Sequence, residues 1–471
     1  MEQRTKRDIA LINLVADFES KFEQGAIEYL EEKKLYQLIA YYEEEYQLDK
    51  ALDVVDLALD QFSYRSDFYI LKARILLYMH SVDECIKVLD HAQVIAPFET
   101  EIDLLRARAL SFLGQKHEAL ILLENIRNKS LKSDLSEILI CESYIYEEMK
   151  DYEMMYEVLK ESLHLDPKNE EALERMMVCT ELSRKYEESV YFLEELLDLE
   201  PYSYLAWFNL GHAYLYLGDY DKAFEAMEFS YIINEDFENG YLDCADICVI
   251  NKEFTKAYEI YKKANEKFGP DCEFYTHMAS CKLKLGEYAK ARFLLSKAIR
   301  LDQYNDEAYY LLGECFSKEK KWYSAINAFH KAINLEEDCD LYYFHLAMAY
   351  VEVQDYTKAT FNFNKATKIG HEQSEYWAEY VTFLMKLGLF QESLCILDEA
   401  EEYTFGADLL YCRALTYYHI GKKKAALDCF EEALLEDYSI HEKFLNITPE
   451  IQFDEQIKSM VLFYKGELEQ D

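Results

Sequence analysis

Along this chain the apolar positions are sorted by size, and the sorting repeats every thirty-four residues. Counted outward from Tyr204, units begin at Glu32, Ser66, Thr100, Ser136, Glu170, Tyr204, Glu238, Cys272, Asp306, Asp340, Ser374 and Ala407. Two intervals depart from the period: 36 residues from Thr100 to Ser136, and 33 from Ser374 to Ala407. The eighth position of the unit is small at Ala73, Ala107, Ser143, Gly211, Ala245, Ala279, Gly313, Ala347 and Ala414, with Ile39, Met177 and Val381 as exceptions. The twentieth is small in every unit except at Met155. The twenty-seventh is small at such residues as Ala264, Ala298 and Ala332, and large at Ile126 and Leu196. Bulky residues fill complementary columns, the seventeenth with Tyr186, Tyr220 and Trp322, the twenty-fourth with Leu123, Met227 and Phe329. Such columns predict two helices per unit that approach where side chains are tiny, with large neighbours filling the space beside them.

Turn residues keep the same register. Gly114, Gly218, Gly286, Gly388 and Gly421 occupy the fifteenth position, predicted as the turn between the two helices, where a left-handed backbone costs glycine least. Pro97, Pro167, Pro201 and Pro270 close units, where one helix must stop before the next begins. The stretch from Arg127 to Leu135 is predicted to be the loop that absorbs the longer interval. Before the array, residues 1–31 read as a capping helix with Ile9, Ile12, Val15, Phe18 and Phe22 on its apolar side. After it, Thr448 and Pro449 read as the start of a final amphipathic helix running to about Leu468.

Within Tyr204 to Phe237, residues Trp207, Leu210, Gly211 and Tyr214 follow a W-x2-L-G-x2-Y spacing, with Gly218, Tyr220 and Ala223 behind them. This resembles the tetratricopeptide repeat, a 34-residue helix–turn–helix unit. The resemblance covers roughly residues 32–440 and implies a long protein made only of such units, of a kind common in bacteria. It implies an all-α, right-handed solenoid of about twelve helix pairs, capped by 1–31 and 441–471. It further implies a concave groove, lined by the first helix of each unit, that takes a peptide or a partner's helix. Scaffold or adaptor is the role expected. The alternatives are a structural subunit of a larger assembly, or a ligand-sensing regulator whose superhelix changes pitch on binding a small peptide.

Composition narrows the partner. With 91 acidic and 50 basic residues the formal net charge is −41, which repels nucleic-acid phosphates and anionic lipid and favours a basic protein partner. Twelve cysteines occur with no CxxC pair; Cys244 and Cys248, one helical turn apart, are expected as small core residues, and the unpatterned thiols point to a reducing compartment. The basic residues and short apolar run near the N-terminus lack a small-x-small cleavage site, so the cytoplasm is the expected location. No membrane span is expected.

Catalytic signatures are not met. His117-Glu118, His371-Glu372 and His441-Glu442 begin like HExxH but have no second histidine, and no P-loop, GxGxxG or GxSxG occurs. No enzyme activity, metal or cofactor is expected.

The groove positions implied by the family hold an acidic and aromatic set between about Glu171 and Glu314. Its candidate partner-binding residues are Glu174, Phe208, Asn209, His212, Asp243, Asp246, Tyr310 and Glu314. Carboxylates in a first turn also stabilise the helix N-terminus, so the deeper Asp243, Asp246 and Glu314 carry the expectation of a basic segment packed on aromatic rings. Arg74 and Arg108, at the ninth position of consecutive units, are expected side by side as a secondary spot for a carboxylate, with Asp67, Glu101 and Glu137 as internal competitors.

Overall fold

The computed structural model describes residues 2–23, 29–129 and 134–468. Among them are twenty-seven α-helices, two short 3-10 turns and no strand. Backbone contacts divide the chain into two compact units, Met1–Gly240 and Tyr241–Asp471, with the division inside the helix Glu238–Ile250. Within each unit the helices alternate. First helices begin at Glu32, Ser66, Thr100, Leu135, Glu170, Tyr204, Glu238, Cys272, Asp306, Asp340, Ser374 and Ala407. Second helices begin at Leu48, Val82, Lys116, Tyr152, Tyr186, Tyr220, Phe254, Tyr288, Trp322, Tyr356, Phe390 and Lys423. The loop expected over Arg127 to Leu135 falls partly outside the described residues.

The small columns lie where paired helices touch. Ala73, Ala107, Ala279, Ala347 and Ala414 at the eighth position, and Ala51, Ala119, Ala223, Ala291, Ala325 and Ala426 at the twentieth, are fully buried. A Cβ added to Gly313 would stand 2.4 Å from the Phe329 ring, and one added to Gly211 would stand 2.8 Å from Met227 Cγ. The helix axes are therefore closer there than any side chain permits. The three pairs with a large eighth residue, Ile39, Met177 and Val381, are those whose helices make the fewest close backbone approaches among the pairs described. Close approach is sparsest at Met177, between Glu170–Ser183 and Tyr186–Leu199; there Thr180 and Ser189 bridge the pair through a 2.9 Å hydroxyl contact.

At the N-terminal end, Val15 and Phe18 of the helix Glu2–Glu23 are buried against Leu35, Leu38 and Tyr42, whereas Ile12 and Phe22 are exposed and the side chain of Ile9 lies outside the described residues. At the other end one expectation is corrected. Pro449–Phe453 is a 3-10 turn, Thr448 makes no side-chain cap, and the last helix is Glu455–Leu468. The Thr448 hydroxyl is instead 3.1 Å from His419 Nε2, and Ile451 and Ile457 bury their side chains with Phe444 in the terminal core.

Between the two helices of every pair, the fifteenth residue has positive φ. Five of these residues are glycines, at φ 75° to 84°, and the other seven are Tyr46, His80, Lys150, Arg184, Lys252, Lys320 and Gln354, at φ 54° to 61°. The turn is a Schellman closure, in which a backbone N–H reaches five residues back, as Ser81 does to Leu76 O at 2.8 Å and Asp219 to Tyr214 O at 3.0 Å. The closure demands the left-handed backbone whatever side chain stands there, and a non-glycine residue is strained by roughly 1 kcal/mol. Replacing Lys252 or Lys320 with glycine is therefore expected to stabilise the protein by up to about 1 kcal/mol, read as a higher urea midpoint; an unchanged or lower midpoint would count against the strain. For the crossings, Gly313→Ala is expected to cost roughly 1–2 kcal/mol because an aromatic ring cannot give way. Gly211→Ala, facing a flexible methionine, should be near neutral, since the helix-propensity gain of about 1 kcal/mol offsets the contact. Equal midpoints for the two variants would refute this reading.

Candidate functional site

In the second unit, first helices of successive pairs build an aromatic wall. The Tyr310 ring of Asp306–Lys318 stacks on Tyr342 of Asp340–Glu352, with centroids 5.1 Å apart, and Phe344 stacks on Tyr376 of Ser374–Lys386 at 4.5 Å. These residues recur one repeat apart on facing helices, so each ring meets the next. The Tyr342 hydroxyl donates to Asp306 Oδ2 at 2.6 Å. His345 wedges edge-on against Tyr310 at 5.3 Å, and burial, assisted by Lys318 and Lys284, pushes its pKa down to about 4. Glu314, one turn beyond Tyr310, is half-buried, and burial holds its carboxyl above the usual range against the opposing pull of Lys284, Lys318 and the Tyr310 hydroxyl. Earlier in this unit Asp246 is exposed and accepts a hydrogen bond from the Tyr261 hydroxyl, while Asp243 is half-buried. Burial first, then Asp246, drives the Tyr261 pKa far up.

In the first unit the predicted residues divide. Glu174 is exposed and His212 half-buried, but Phe208 and Asn209 are buried, at 5% and 4% exposure. The Phe208 ring is held edge-on by His212 at 4.5 Å and by Phe237 at 4.9 Å. Asn209 Nδ2 donates to Leu173 O at 2.7 Å, tying one first helix to the one before it, and its Oδ1 has no hydrogen-bond partner. Cys141 and Cys412 occupy the same sixth position, and their thiols reach Leu104 O and Ala378 O, each at 3.6 Å. The sixth residue thus fastens neighbouring repeats. Phe208 and Asn209, expected as partner-binding residues of the groove, thus lie buried in the packing.

Arg74 and Arg108 do share one cleft, of about 460 Å³, on the first helices of the first unit. They are not a free pair. Arg74 Nη2 is bound to Glu101 Oε1 at 2.9 Å, so the carboxylate is supplied internally. The Arg108 guanidinium lies 4.7 Å from the centre of the Tyr144 ring, and Arg175 sits against the same ring at 3.4 Å. Arg175 is anchored by Ser143 Oγ at 2.6 Å and Glu147 Oε2 at 2.9 Å, and the Tyr144 hydroxyl donates to Glu171 Oε1 at 2.9 Å. Arg175 and His345 stand at the sixth position of their units, and Lys284 and Lys318 at the thirteenth. All four escaped the sequence reading although the register contains them, because attention to acidic and aromatic residues passes over bases in the same columns.

Cys244 and Cys248 are buried in the packing. Among the described residues no group of three or more His, Cys, Asp or Glu side chains is arranged to hold a metal ion, and no helix is long and apolar enough to cross a membrane.

Segments of the chain match family models. Residues 142–169 and 192–225 match tetratricopeptide repeat models, 287–366 matches the anaphase-promoting complex, cyclosome, subunit 3, and 245–321 matches the coatomer epsilon subunit. A curated relative, the BBSome complex member BBS4 of Bos taurus, is 25% identical over 205 residues; the match covers 36% of this chain and 39% of that protein. Similar solved structures include yeast Tom70, at 16% identity over 92% of this chain and 96% of that one with a TM-score of 0.45. A tetratricopeptide repeat protein from Parabacteroides merdae is 16% identical over 52% of this chain and 98% of that one, with a TM-score of 0.42. The helix pairs with small residues at their crossings, the left-handed turn in every pair and the repeat models that match inside the array lead to one assignment: the chain is a tetratricopeptide-repeat protein.

Proposed function

We propose that this chain is a non-enzymatic protein–protein interaction scaffold of the cytoplasm, a member of a larger assembly, and that its second unit receives a basic partner segment on the first-helix face. The observation that carries this reading is the half-buried Glu314 beside the Tyr310–Tyr342 stack. A carboxyl short of solvation gains from an added cation, and the stem of an arginine or lysine packs on the neighbouring rings. Asp243 and Asp246 extend the acidic surface earlier in the same unit. The net charge of −41 favours such a partner through long-range attraction. Relatives named as parts of the anaphase-promoting complex, the coatomer and the BBSome support a role inside an assembly. In the first unit, Arg108, with the Tyr144 ring rather than a carboxylate as its partner, is the residue we propose for a carboxylate of that assembly.

Fluorescence-polarisation titration of arginine- and lysine-rich peptides against the full chain tests this. The triple change Asp243→Lys, Asp246→Lys and Glu314→Lys is expected to weaken binding at least tenfold while the helical circular dichroism is kept. Affinity should also fall steeply as salt rises. Binding untouched by the charge reversal would remove the site from this face.

The same face has a signature in stability. His345 takes up a proton at its ordinary pKa of 6.5 when unfolded, but only near 4 when folded. Its contribution is therefore fully present above pH 6.5 and is lost as the pH falls from 6.5 towards 4. His345→Phe should flatten that loss by at most about 3 kcal/mol, since each pKa unit corresponds to about 1.4 kcal/mol. Urea midpoints of parent and variant that run parallel between pH 7 and 4.5 would show that His345 is not held neutral.

A further inference from the structure

At six junctions among the described residues the twenty-fifth residue of a unit, on the second helix, finds a partner at the seventh or eleventh position of the next unit's first helix, whereas Lys160, Glu228, Lys262 and Ser296 make their contacts elsewhere. Asp90 pairs with Arg106 at 2.9 Å, Asp398 with Arg413 at 2.8 Å, and Asp56 with Lys72. Elsewhere the contact is a hydrogen bond: Tyr214 to Glu194 at 2.6 Å, His330 with Tyr350 at 2.8 Å, and Asn364 to Tyr380 at 3.1 Å. One junction sets like charges opposite each other. Its twenty-fifth residue is Glu124, and the seventh residue opposite, where Lys72 and Arg106 stand in the two preceding units, is Glu142. Acid faces acid, and the Glu124 side chain has no ion pair or hydrogen bond among the described residues.

Glu142 is largely buried. Its side chain is only 9% exposed, and among the described residues its carboxylate accepts no hydrogen bond and has one ion-pair neighbour, Arg127 Nη1 at 3.9 Å, whose Nη2 is already bound to Glu161. Burial pushes its pKa up to about 7, with Glu161 and Glu124 adding to the rise and Arg127 opposing it. This carboxyl forms the floor, with Tyr146, of a groove of about 680 Å³ between the helices Lys116–Arg127 and Tyr152–Leu165. Ile121 and Met154, 58% and 41% exposed, stand on its walls together with Leu120 and Val158. Four carboxylates line it, those of Glu124, Glu142, Glu157 and Glu161, against Arg127 and Lys160, with the imidazoles of His117 and His164 also on the lining.

We propose that this groove receives an arginine side chain from a partner protein, seated where Arg106 and Arg413 place their own guanidinium groups in other repeats. The guanidinium bridges Glu142 and Glu124, and its stem lies along Leu120, Ile121 and Met154. A guanidinium fits because its planar fork spans two carboxylates and sheds water more readily than an ammonium. A metal ion is disfavoured because no suitable donor set exists among the described residues. The site lies on the second-helix side of the first unit, so it is independent of the first-helix face proposed for the second unit.

Methyl NMR on the full chain tests the inference with two probes, acetyl-Leu-Arg-Leu-amide and the same peptide with citrulline, which keeps the shape and loses the charge. The arginine peptide should shift the Ile121 and Met154 methyl signals saturably, with the citrulline peptide at least tenfold weaker. Glu142→Arg, which restores the pattern of the preceding repeats, should abolish the shifts and keep or raise the melting temperature. Glu142→Gln, nearly isosteric, should weaken binding at least tenfold and guards against a folding defect in the first variant. Equal response to both peptides, or arginine binding that survives Glu142→Gln, overturns the proposal.

Discussion

Two helix backbones in contact through residues without bulk are the interaction on which each unit of this protein depends. The helices pack at the eighth and twentieth positions because alanine, glycine or serine stands there, and the ring or branched chain of the twenty-fourth fills the hole beside them. Gly313 against Phe329 shows the limit, since not even a methyl fits without displacing the ring. Ile39, Met177 and Val381 show the converse: a larger residue moves the helices apart. Because the contact is local, each crossing is set by its own pair, and the fold tolerates a loose pair between tight ones.

Polar contacts then hold the pairs in register with one another. The sixth residue of a first helix reaches the carbonyl of the preceding first helix, as Cys141, Asn209 and Cys412 do. At six junctions the twenty-fifth residue reaches forward from a second helix, as Asp90, Glu194 and Asn364 do. Each contact is worth little by itself, and exposed ion pairs of this kind contribute at most about 1 kcal/mol. Where they occur, they add direction to an apolar packing that has none of its own.

The architecture was legible because its cause is short-range: three small columns and two large ones determine which helix faces touch, and every first and second helix is a consequence. The fifteenth-position turn was legible at only five glycines. The remaining seven residues, including His80, Lys150 and Gln354, adopt the same left-handed backbone because the Schellman closure requires it, and nothing about histidine, lysine or glutamine announces this. Candidate sites were harder to read because surface chemistry depends on neighbours one repeat away. Phe208 has a groove position by count but is covered by Phe237, from the end of its own repeat. Arg74 has the right charge, but Glu101 of the next unit consumes it. Glu314 looked plainly acidic in the sequence, yet in the fold it shares its surroundings with Lys284, Lys318 and a neutral His345.

In a chain whose framework repeats, recognition must reside in departures from the repeat, since a feature common to all pairs cannot distinguish one place from another. Glu142 illustrates how such a departure differs from noise. A random surface charge costs little because water screens it, but the seventh position faces a second helix and is buried, so an acid there raises the free energy of the folded chain unless a cation arrives. A residue that weakens the array in isolation and is relieved by a charged visitor couples binding to folding. Glu314 in the second unit obeys the same logic with a weaker hand, because two lysines already relieve part of its burial. On the readings proposed for Glu142 and Glu314, the half-satisfied carboxyl, rather than the most acidic or most aromatic stretch, is the physical mark that sets a site apart from the scaffold that carries it.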